Sequence, residues 1–291
     1  MKIFITGATG FIGKHLVSKL VQDGNEVTIN LYGGEQSPFT EQVKTYTLAK
    51  SEIATDILFF QQSAYDGIIH LASLYLTVHK PEEAVKLIDS NVGFSTYILE
   101  CASQARISWF VNTGTFWQNY QNAEYSPVNL YAASKQAFES IARYYIETEQ
   151  IRFATLRLCD TYGPNDTRPK IFNLWERIAR TGETLDMSAG EQLIDISFID
   201  DIIAAFSLLA CHLQNNHHEV VSGSVYAVKA NKRYSLKELA AIYENATATK
   251  LNINWGAKSY RGREVMIPWE KGVLVPDWVA KVSIEEGLKK C

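Results

Sequence analysis

The sequence predicts an α/β protein with a doubly wound parallel sheet and a smaller C-terminal lobe. Short apolar runs alternate with segments of helical spacing from residue 3 to about residue 160, as in βαβ units. A glycine-rich turn joins the first of these strands to the first helix. The chain has 291 residues and 46% apolar content, which is enough to bury one elaborated core or two lobes.

Composition and charge disfavour several classes of protein. A net charge of −4 and a pI of about 5.9 do not suit a surface for nucleic acid or membranes. The N-terminal apolar run is too short for a signal peptide, and no run reaches the roughly 18 apolar residues of a membrane span. The cysteines lie far apart, which predicts reduced thiols, a cytoplasmic location and no disulfide or cysteine metal cluster: Cys101, Cys159, Cys211 and Cys291.

The glycine-rich turn follows an apolar strand and precedes an apolar helical face, which is the context that a dinucleotide-phosphate site requires. Its glycines permit a tight turn, close approach of a pyrophosphate, and packing of helix on strand. The free N–H groups of the helix start then face the phosphates. A glycine-rich surface turn is the alternative, and this position disfavours it. The predicted cofactor contacts of a Rossmann-type fold are Gly7, Thr9, Gly10, Phe11, Ile12 and Gly13.

The second strand, predicted over residues 26–32, ends where such a fold meets the adenosine ribose. By position, the contact falls on Leu31 or Tyr32, and neither is acidic. A carboxylate there would bind the 2′-hydroxyl of NAD and repel the 2′-phosphate of NADP. We therefore predict NADPH, with NAD as the alternative, and Lys44 or Lys50 as possible sources of positive charge.

Several later segments bear on the site. A buried strand over 67–72 ends in small residues, which makes Leu71 and Ala72 candidate cofactor contacts, although a plain core strand is an equally good interpretation. Asn91 interrupts a helix predicted over 81–103, and we expect it to be exposed. Asp200 and Asp201 can cap a helix predicted over 202–213. Further strands are predicted over 109–115, 154–159, 194–199 and 225–228, and further helices over 53–62, 131–142, 171–180, 236–244 and 283–289.

The predicted division of the chain follows from where the regular alternation ends. Residues 1–160 and about 194–223 are assigned to the dinucleotide-binding domain, with a last return to the sheet near residues 194–213. Residues about 161–193 and 224–291 are assigned to a substrate lobe over the strand ends, where ligands bind in such folds. His217 and His218 lie in a polar stretch that is predicted to be a solvated loop.

The candidate catalytic residues begin the helix after the strand over 109–115. Tyr131 and Lys135 are four residues apart, so they stand on one helix face. A nearby ammonium favours the phenolate and would lower the phenol pKa from about 10, which allows proton transfer near neutral pH. Thr113 and Thr115 end the preceding strand, and a threonine hydroxyl could hold a carbonyl or alkoxide. An exposed tyrosine and a solubilising lysine are the alternative.

Taken together, these motifs resemble the extended short-chain dehydrogenase/reductase family of nucleotide-sugar epimerases, dehydratases and reductases. The resemblance implies that Tyr131 is the acid/base, that Lys135 lowers its pKa and binds the nicotinamide ribose, and that Thr115, or else Thr113, is the catalytic hydroxyl. It covers nearly the whole chain and rests on the glycine turn, I-I-H-L-A at 68–72, Asn91, the hydroxyl-ended strand before Tyr131 and Lys135, L-R-L-C-D-T-Y-G-P at 156–164 and F-I-D-D at 198–201.

Departures from the family pattern narrow the subfamily. The 4,6-dehydratases carry an Asp-Glu pair after the catalytic threonine, whereas Phe116 and Trp117 follow Thr115 here. The arginine that commonly binds phosphate before the Asp-Asp pair is missing, since Ile194 occupies its place. The remaining candidates for binding the substrate diphosphate are Arg263, Arg168 and Lys170, with Thr113 as a further substrate contact; ordinary surface charge is the alternative for the three basic residues.

The segments 112–115 and 160–164 look most like the branch that reduces CDP-4-keto-3,6-dideoxyhexoses, the paratose and abequose synthases of lipopolysaccharide O-antigen assembly. The resemblance implies an NADPH-dependent 4-ketoreductase of a nucleotide-linked deoxysugar. An NAD-dependent nucleotide-sugar 4-epimerase is the first alternative, and a non-catalytic NADP-binding scaffold is the second. Relatives dimerise through two helices, about 82–103 and 132–148 here, so we expect a homodimer.

Overall fold

The computed structural model describes residues 1–149 and 151–291. Its centre is a seven-stranded sheet in which every neighbouring pair of strands is parallel. In spatial order the strands are β11 (Ser224–Val228), β6 (Arg152–Leu158), β5 (Trp109–Thr115), β4 (Gly67–His70), β1 (Lys2–Thr6), β2 (Glu26–Asn30) and β3 (Lys44–Tyr46).

Helices cover both faces of this sheet, as expected for a doubly wound fold. The α-helices of the described residues are α1 (Phe11–Gln22), α2 (Ile53–Ser63), α3 (Pro81–Ile88), α4 (Phe94–Gln104), α5 (Leu130–Thr148), α6 (Ile171–Thr181), α7 (Ile199–Gln214), α8 (Leu236–Thr247) and α9 (Ile284–Leu288). Short paired strands complete the structure: β7 (Asp160–Tyr162) with β10 (Ile196–Phe198), β8 (Leu185–Met187) with β13 (Ile253–Trp255), and β9 (Leu193–Ile194) with β12 (Tyr234–Ser235).

The alternation of side chains along β1 shows how the two faces are built. Ile3 and Ile5 are fully buried in a cluster that includes apolar residues of α1 and α7. Phe4 points to the other face and packs with residues of α2, α4 and α5. Successive side chains of a strand point to opposite faces, so a strand covered on both sides is apolar throughout. This explains why the sheet could be predicted from short apolar runs.

The chain returns to the central sheet at a different place from the predicted one. We expected the return near residues 194–213, but the strand that joins the sheet is β11, which pairs with β6. The segment Ile196–Phe198 pairs instead with Asp160–Tyr162, as β10 with β7. Residues 224–228 therefore hydrogen-bond to the sheet rather than standing apart from it. The rest of the predicted division into two lobes stays a prediction.

The start of α7 also differs from expectation. Asp200 and Asp201 lie inside its first turn rather than before it. Asp201 is buried, and its carboxylate accepts hydrogen bonds from the backbone N–H groups of Lys281 and Val282, each at 3.0 Å. It thus ties the C-terminal segment to α7 instead of capping the helix. The capping box predicted for α8 is present: Ser235 Oγ accepts from Glu238 N at 3.2 Å.

The sheet order places a crevice beside β1. The chain leaves β1 in one direction for β2 and β3, and β4, β5 and β6 lie on the other side. Ligands of doubly wound sheets bind outside the carboxyl ends of the strands at such a switch point. Thr6, His70 and Thr115 end three of these strands. Across the described ranges, none of the helices has the length and apolar character needed to cross a bilayer.

Candidate active site

The glycine-rich turn packs directly against the segment after β4. Gly7 has φ +70°, and a Cβ there would lie 2.5 Å from Ala72 N. Gly13 is equally confined, since a Cβ would lie 2.3 Å from Gly7 O. Leu71 N donates to Thr6 O at 3.1 Å, which continues the β1–β4 pairing past the strand end. Leu71 and Ala72 therefore lie beside the turn, beyond a strand that ends at His70.

The start of α1 suits a pyrophosphate. The helix begins at Phe11, and Gly10 precedes it in an extended conformation. Within the described residues no side chain caps this helix, so its first N–H groups stay available to phosphate oxygens. Because Gly7 and Gly13 leave no room for side chains, the backbone itself forms the cradle. These features fit a dinucleotide cofactor.

The end of β2 holds an acidic residue that the sequence reading missed. The strand stops at Asn30, and Tyr32 is 61% exposed beyond it. Glu35 folds back after the turn, and its carboxylate accepts from Tyr32 N at 3.2 Å and from Thr9 Oγ at 3.3 Å. It is a carboxylate beside the glycine turn, where the adenosine ribose of a bound dinucleotide is expected. The position of Glu35 directly after Gly33-Gly34 could have indicated this contact, since a Gly-Gly turn can bring the next residue back to the end of the strand.

One of the two candidate lysines reaches the same region. Lys50 Nζ lies 4.0 Å from the ring centroid of Tyr32 and 4.7 Å from that of Phe94. Lys44 does not serve this region, because its ammonium pairs with Glu26 at 2.5 Å on the sheet edge. The end of β2 thus carries both a carboxylate and an ammonium, which act in opposite directions on a 2′-phosphate.

Tyr131 and Lys135 are both buried at the start of α5. The helix is capped by Asn129, whose Oδ1 accepts from Ala132 N at 3.0 Å. Asn129 Nδ2 also donates to Thr77 O at 2.9 Å, which fixes the helix start against the segment after β4. Tyr131 is 9% exposed and Lys135 2%, and Lys135 Nζ lies 6.0 Å from the Tyr131 ring centroid. The bland interpretation, an exposed tyrosine and a solubilising lysine, is wrong.

Burial governs the proton affinities of this pair. Burial raises the pKa of Tyr131 above its ordinary value; the neighbouring Tyr75 adds to the increase, and Ser73 opposes it. Burial also lowers the pKa of Lys135 to about 8, against the opposing effect of Glu139. The expected lowering of the phenol pKa by Lys135 is therefore wrong, because loss of hydration is the largest effect on this phenol. Tyr131 holds its proton at neutral pH.

An aromatic wall, composed of Tyr75 and Trp117, stands beside Tyr131. The ring of Tyr75 meets that of Tyr131 edge to face at 5.0 Å and lies 5.8 Å from that of Trp117. Lys170 Nζ lies 4.6 Å from the Tyr75 ring centroid and donates to Asp160 at 3.1 Å. Tyr75 was not among the predicted site residues. It lies in an irregular segment after β4, where no periodic pattern shows in which direction a side chain points.

The two candidate threonines have different partners. Thr113 is buried, and its hydroxyl donates to His70 O at 2.9 Å, across neighbouring strands. Thr115 is half-buried at the end of β5, and within residues 1–149 and 151–291 its Oγ has one hydrogen bond, a long one accepted from Trp117 N at 3.3 Å. The proton of the Thr115 hydroxyl is thus available to a ligand, whereas that of Thr113 is already donated. This difference favours Thr115 as the catalytic hydroxyl.

Asn91 is buried, contrary to the prediction that it is exposed. A π-helical segment, Asp89–Gly93, interrupts the long helix at this residue. Its Oδ1 accepts from Leu74 N at 2.7 Å, and its Nδ2 donates to Leu74 O at 2.9 Å and to Ser134 Oγ at 3.0 Å. Asn91 therefore fixes the segment after β4 against α5, next to Tyr131. Single π-turns are common at functional sites, and no helical periodicity could have shown one.

A buried polar network joins the end of β5 to α5. Arg157 binds Glu139 at 2.5 Å and Asn119 at 2.6 Å. Gln118 donates to Glu139 at 2.9 Å and accepts from Thr115 N at 2.9 Å. The backbone of Thr115 is thus connected through two side chains to the helix that carries Lys135. No local pattern indicates this network, since its members are scattered along the chain.

The three predicted basic residues lie in different places. Lys170 contacts Tyr75, which in turn contacts Tyr131. Arg168 packs over Phe11 at 4.2 Å, beside the glycine turn, and pairs with Asp166 at 2.7 Å. Arg263 is exposed, donates to Ser126 Oγ at 2.7 Å and lies 4.3 Å from the Tyr120 ring centroid, over the loop after β5. The structure therefore brings Arg168 to the cofactor side and the other two toward the loops around Tyr131.

The fold and this site together define a dinucleotide-binding α/β protein with a buried Tyr-x-x-x-Lys pair at the strand ends. The model of the NAD dependent epimerase/dehydratase family matches residues 3–223. The chain belongs to this family, which confirms the family and fold class predicted from its motifs, and it is an NAD(P)-dependent enzyme.

Curated relatives match nearly the whole chain. The CDP-abequose synthase of Salmonella muenchen is 29% identical over 99% of this chain and 96% of its own length. That of Yersinia pseudotuberculosis is 27% identical over 92% of each chain. This similarity lies in the branch that the sequence motifs indicated.

Solved structures share the fold at lower identity. The UDP-glucose 4-epimerase of Thermotoga maritima, solved with UDP-glucose, has a TM-score of 0.82 at 21% identity and covers 99% of this chain and 96% of its own. The UDP-glucose 4-epimerase of Thermus thermophilus, in complex with NAD, has a TM-score of 0.81 at 20% identity and covers 100% and 97%. At these identities the comparison shows the fold.

Proposed function

We propose that this protein is an NADPH-dependent reductase of a nucleotide-linked 4-keto-deoxysugar, CDP-4-keto-3,6-dideoxyhexose or a close analogue, in O-antigen or deoxysugar biosynthesis. The observation that carries the proposal is a Tyr131 buried against Tyr75, together with a Thr115 that is followed by Phe116 and Trp117 rather than by acidic residues. Ketone reduction consumes a proton, so it needs the phenol in its protonated form. The CDP-abequose synthases that match over almost the full length support the substrate class.

The residues after Thr115 argue against dehydration. Phe116 is 6% exposed and packs edge to face against Trp269 at 5.4 Å, so it anchors the C-terminal segment under the loop. Trp117 forms the aromatic wall together with Tyr75. Neither side chain can move a proton, whereas dehydration across C5 and C6 of a sugar needs an acid and a base in addition to the tyrosine. This site is equipped for one proton transfer, to one oxygen.

Each residue of the site has a distinct role in the proposed mechanism. Reduced nicotinamide, when bound, supplies the hydride that sugar C4 accepts. Tyr131 donates its phenolic proton to the emerging C4 alkoxide, and the Thr115 hydroxyl donates a hydrogen bond to the same oxygen. Lys135 holds positive charge next to Tyr131 and stabilises the phenolate that remains. Tyr75 and Trp117 exclude water from one side of the pair.

NADPH is the proposed reductant, and the end of β2 decides between the two cofactors. Lys50 supplies an ammonium near Tyr32, which favours a 2′-phosphate. Glu35 supplies the opposing charge, and its bonds to Thr9 Oγ are long, at 3.3 Å, so it can turn away. The effect of each charge on the preference for NADPH over NADH can therefore be tested by replacing Lys50 and Glu35 in turn with uncharged residues.

Two basic residues are proposed to hold the nucleotide diphosphate. Lys170 lies over Tyr75 of the aromatic wall, and Arg263 lies over Tyr120 in the loop after β5. Thr113 is not proposed as a substrate contact, since its hydroxyl is engaged by His70 O. Arg168 is better placed for the cofactor side, over Phe11.

A homodimer is proposed through α3, α4 and α5. Val85 is 67% exposed, Ile88 40% and Tyr144 60%, so these helices carry large apolar side chains on their outer surfaces. Burial of such side chains in a second copy is favourable. Light scattering tests the dimer by comparing the molar mass of Val85→Asp in solution with that of the unmodified chain. We expect the variant to be monomeric, and equal masses for both would contradict the proposal.

The alternative function is a 4-epimerase, since 4-epimerases share this fold. The reductase and the epimerase differ in whether the reaction consumes the cofactor. The reductase proposal predicts net oxidation of added NADPH, one per sugar, when a CDP-4-keto-3,6-dideoxyhexose is supplied. It also predicts that Tyr131→Phe abolishes this turnover while still binding NADPH. Stoichiometric NAD that survives dialysis, with no net cofactor consumption, would establish the epimerase instead.

A further inference from the structure

A cluster of two histidines and an aspartate lies away from the active site. His212 belongs to the last turn of α7, and His217 and Asp277 lie close to it. Gln214 ends the same helix and accepts from the Trp109 indole N–H at 2.7 Å, at the first residue of β5. The cluster therefore lies toward the edge of the sheet where the strands begin, whereas the active site occupies the edge where they end.

The helix end brings the two imidazoles together. His217 N donates to His212 O at 3.0 Å, and Asn216 adopts φ +53° just before it. This is the hydrogen bond of a Schellman ending, in which the two flanking side chains usually make an apolar contact. Here both positions are histidines, and their ring centroids are 4.2 Å apart. The expected solvated loop is thus a fixed turn at this point.

The third group comes from a separate, anchored turn. Trp278 N donates to Val275 O at 3.1 Å, and the Trp278 indole donates to Asp201 O at 3.0 Å, which fixes the turn to α7. Asp277 projects from this turn with its side chain 67% exposed. Its Oδ2 lies 3.5 Å from His212 Nε2 and 3.9 Å from His217 Nε2.

These separations are somewhat longer than the spacing between two ligands of one metal ion. Zinc bonds to nitrogen and carboxylate oxygen are about 2.0–2.1 Å, so two ligands of a tetrahedral site are about 3.3 Å apart. All three side chains offer an atom within 4.8 Å of the others, and among the residues that the structure describes this is the one such trio. Two imidazoles and a carboxylate are a donor set that zinc accepts readily.

We propose that His212, His217 and Asp277 bind one zinc ion, which clamps the end of α7 to the turn at residues 275–278. Water completes the tetrahedron, since the Asp277 side faces solvent. The role is structural, because the site joins two surface segments away from the predicted catalytic residues. Closing this link stabilises the folded chain, to which alone the ion binds well.

Two existing contacts compete with the metal. His212 Nε2 lies 3.1 Å from Pro276 O, and Glu219 N donates to His217 Nδ1 at 3.4 Å. Both indicate that a proton occupies Nε2 of each ring before the metal arrives. Zinc replaces these two protons, which move to Nδ1, and the long Glu219 contact opens. The cost is one ordinary hydrogen bond, from His212 Nε2 to Pro276 O at 3.1 Å, and one weak hydrogen bond at 3.4 Å.

The test uses the full, untagged chain after chelator treatment. Calorimetry with zinc chloride should give one site per chain, and a concentration of about 100 times the Kd should raise the Tm by about 4 °C. His217→Ala and Asp277→Asn should each weaken binding by roughly tenfold or more, since even loss of outer-shell partners costs 10- to 100-fold. His218→Ala and Cys211→Ser are matched controls, because both lie beside the trio but outside it.

Cobalt provides a second readout that does not depend on stability. Cobalt in a tetrahedral site absorbs visible light strongly, and this band should appear with the unmodified chain and not with Asp277→Asn. The Tm of each variant without metal shows whether it is folded. Absence of binding at zinc concentrations of tens of micromolar, or equal binding by the unmodified chain and both trio variants, would overturn the proposal.

Discussion

The buried ammonium of Lys135 should lower the stability of the protein before its cofactor binds. Its side chain is 2% exposed, and burial lowers its pKa from 10.5 to about 8. A pKa that is lower in the folded than in the unfolded chain means that the charged form destabilises folding. Replacement by methionine, which is similarly long and uncharged, removes this charge. We expect Lys135→Met to be more stable than the unmodified chain and inactive.

The size of the effect follows from the pKa difference. A fall from 10.5 to about 8 corresponds to about 3 kcal/mol at about 1.4 kcal/mol per pH unit. Below pH 8 the lysine is charged in both states, so the whole penalty is present. Between pH 8 and 10.5 the folded chain loses its proton first, the unfolded chain binds more protons, and stability rises with pH. By pH 10 the remaining penalty is about 1 kcal/mol.

Urea denaturation of nucleotide-free protein at pH 7 and pH 10 measures this difference. The free energy of unfolding of Lys135→Met should exceed that of the unmodified chain by about 3 kcal/mol at pH 7 and by about 1 kcal/mol at pH 10. Other titrating groups cancel in the difference. Lys289→Met, at an exposed position, is the control and should change stability by less than about 0.5 kcal/mol at either pH. A variant that is less stable at pH 7, or a difference independent of pH, would refute the reasoning.

Three further predictions concern the residues around the pair. Thr115→Ala should lower kcat about 100- to 1000-fold, whereas Thr113→Ala should lose about 1 kcal/mol of stability with kcat within a few-fold; equal kinetic losses would contradict the assignment. Glu35→Gln should raise the ratio of kcat/KM for NADPH over NADH, and Lys50→Ala should lower it; no change in either ratio would remove both from the cofactor site. Asn91→Ala should lose about 2 kcal/mol in urea denaturation, because it leaves the half-buried N–H and C=O groups of Leu74 unpaired; a loss below about 0.5 kcal/mol would show that the π-turn does not depend on it.

The sheet and the cofactor turn were predictable because local patterns determine them. A strand buried on both faces is apolar throughout, as at Ile3, Phe4 and Ile5. Gly7 and Gly13 are required by contacts with nearby backbone, so their spacing alone indicates the turn. The Tyr131–Lys135 pair likewise follows from the geometry of one helix.

The features that were missed depend on contacts between distant segments. Asn91 is buried because Leu74 and Ser134 meet it, and neither is near it in sequence. Glu35 and Tyr75 lie in irregular segments, where no period fixes the direction of a side chain. The pKa of Tyr131 was predicted to fall because its neighbour was considered without the burial that both groups share. The return of β11 to the sheet is likewise set by pairing with β6.

Transfer of hydride from NADPH to sugar C4 is the central claim, and an isotope experiment tests it most directly. The protein is incubated with NADPH carrying deuterium at C4 of the nicotinamide and with a CDP-4-keto-3,6-dideoxyhexose, and the product is analysed by mass spectrometry and proton NMR. We predict a product with one deuterium, located at sugar C4, and one NADPH oxidised for each product formed, when the transferred C4 position is labelled. A product without deuterium from either C4-labelled form of NADPH, or one formed without net oxidation of the cofactor, would contradict the account.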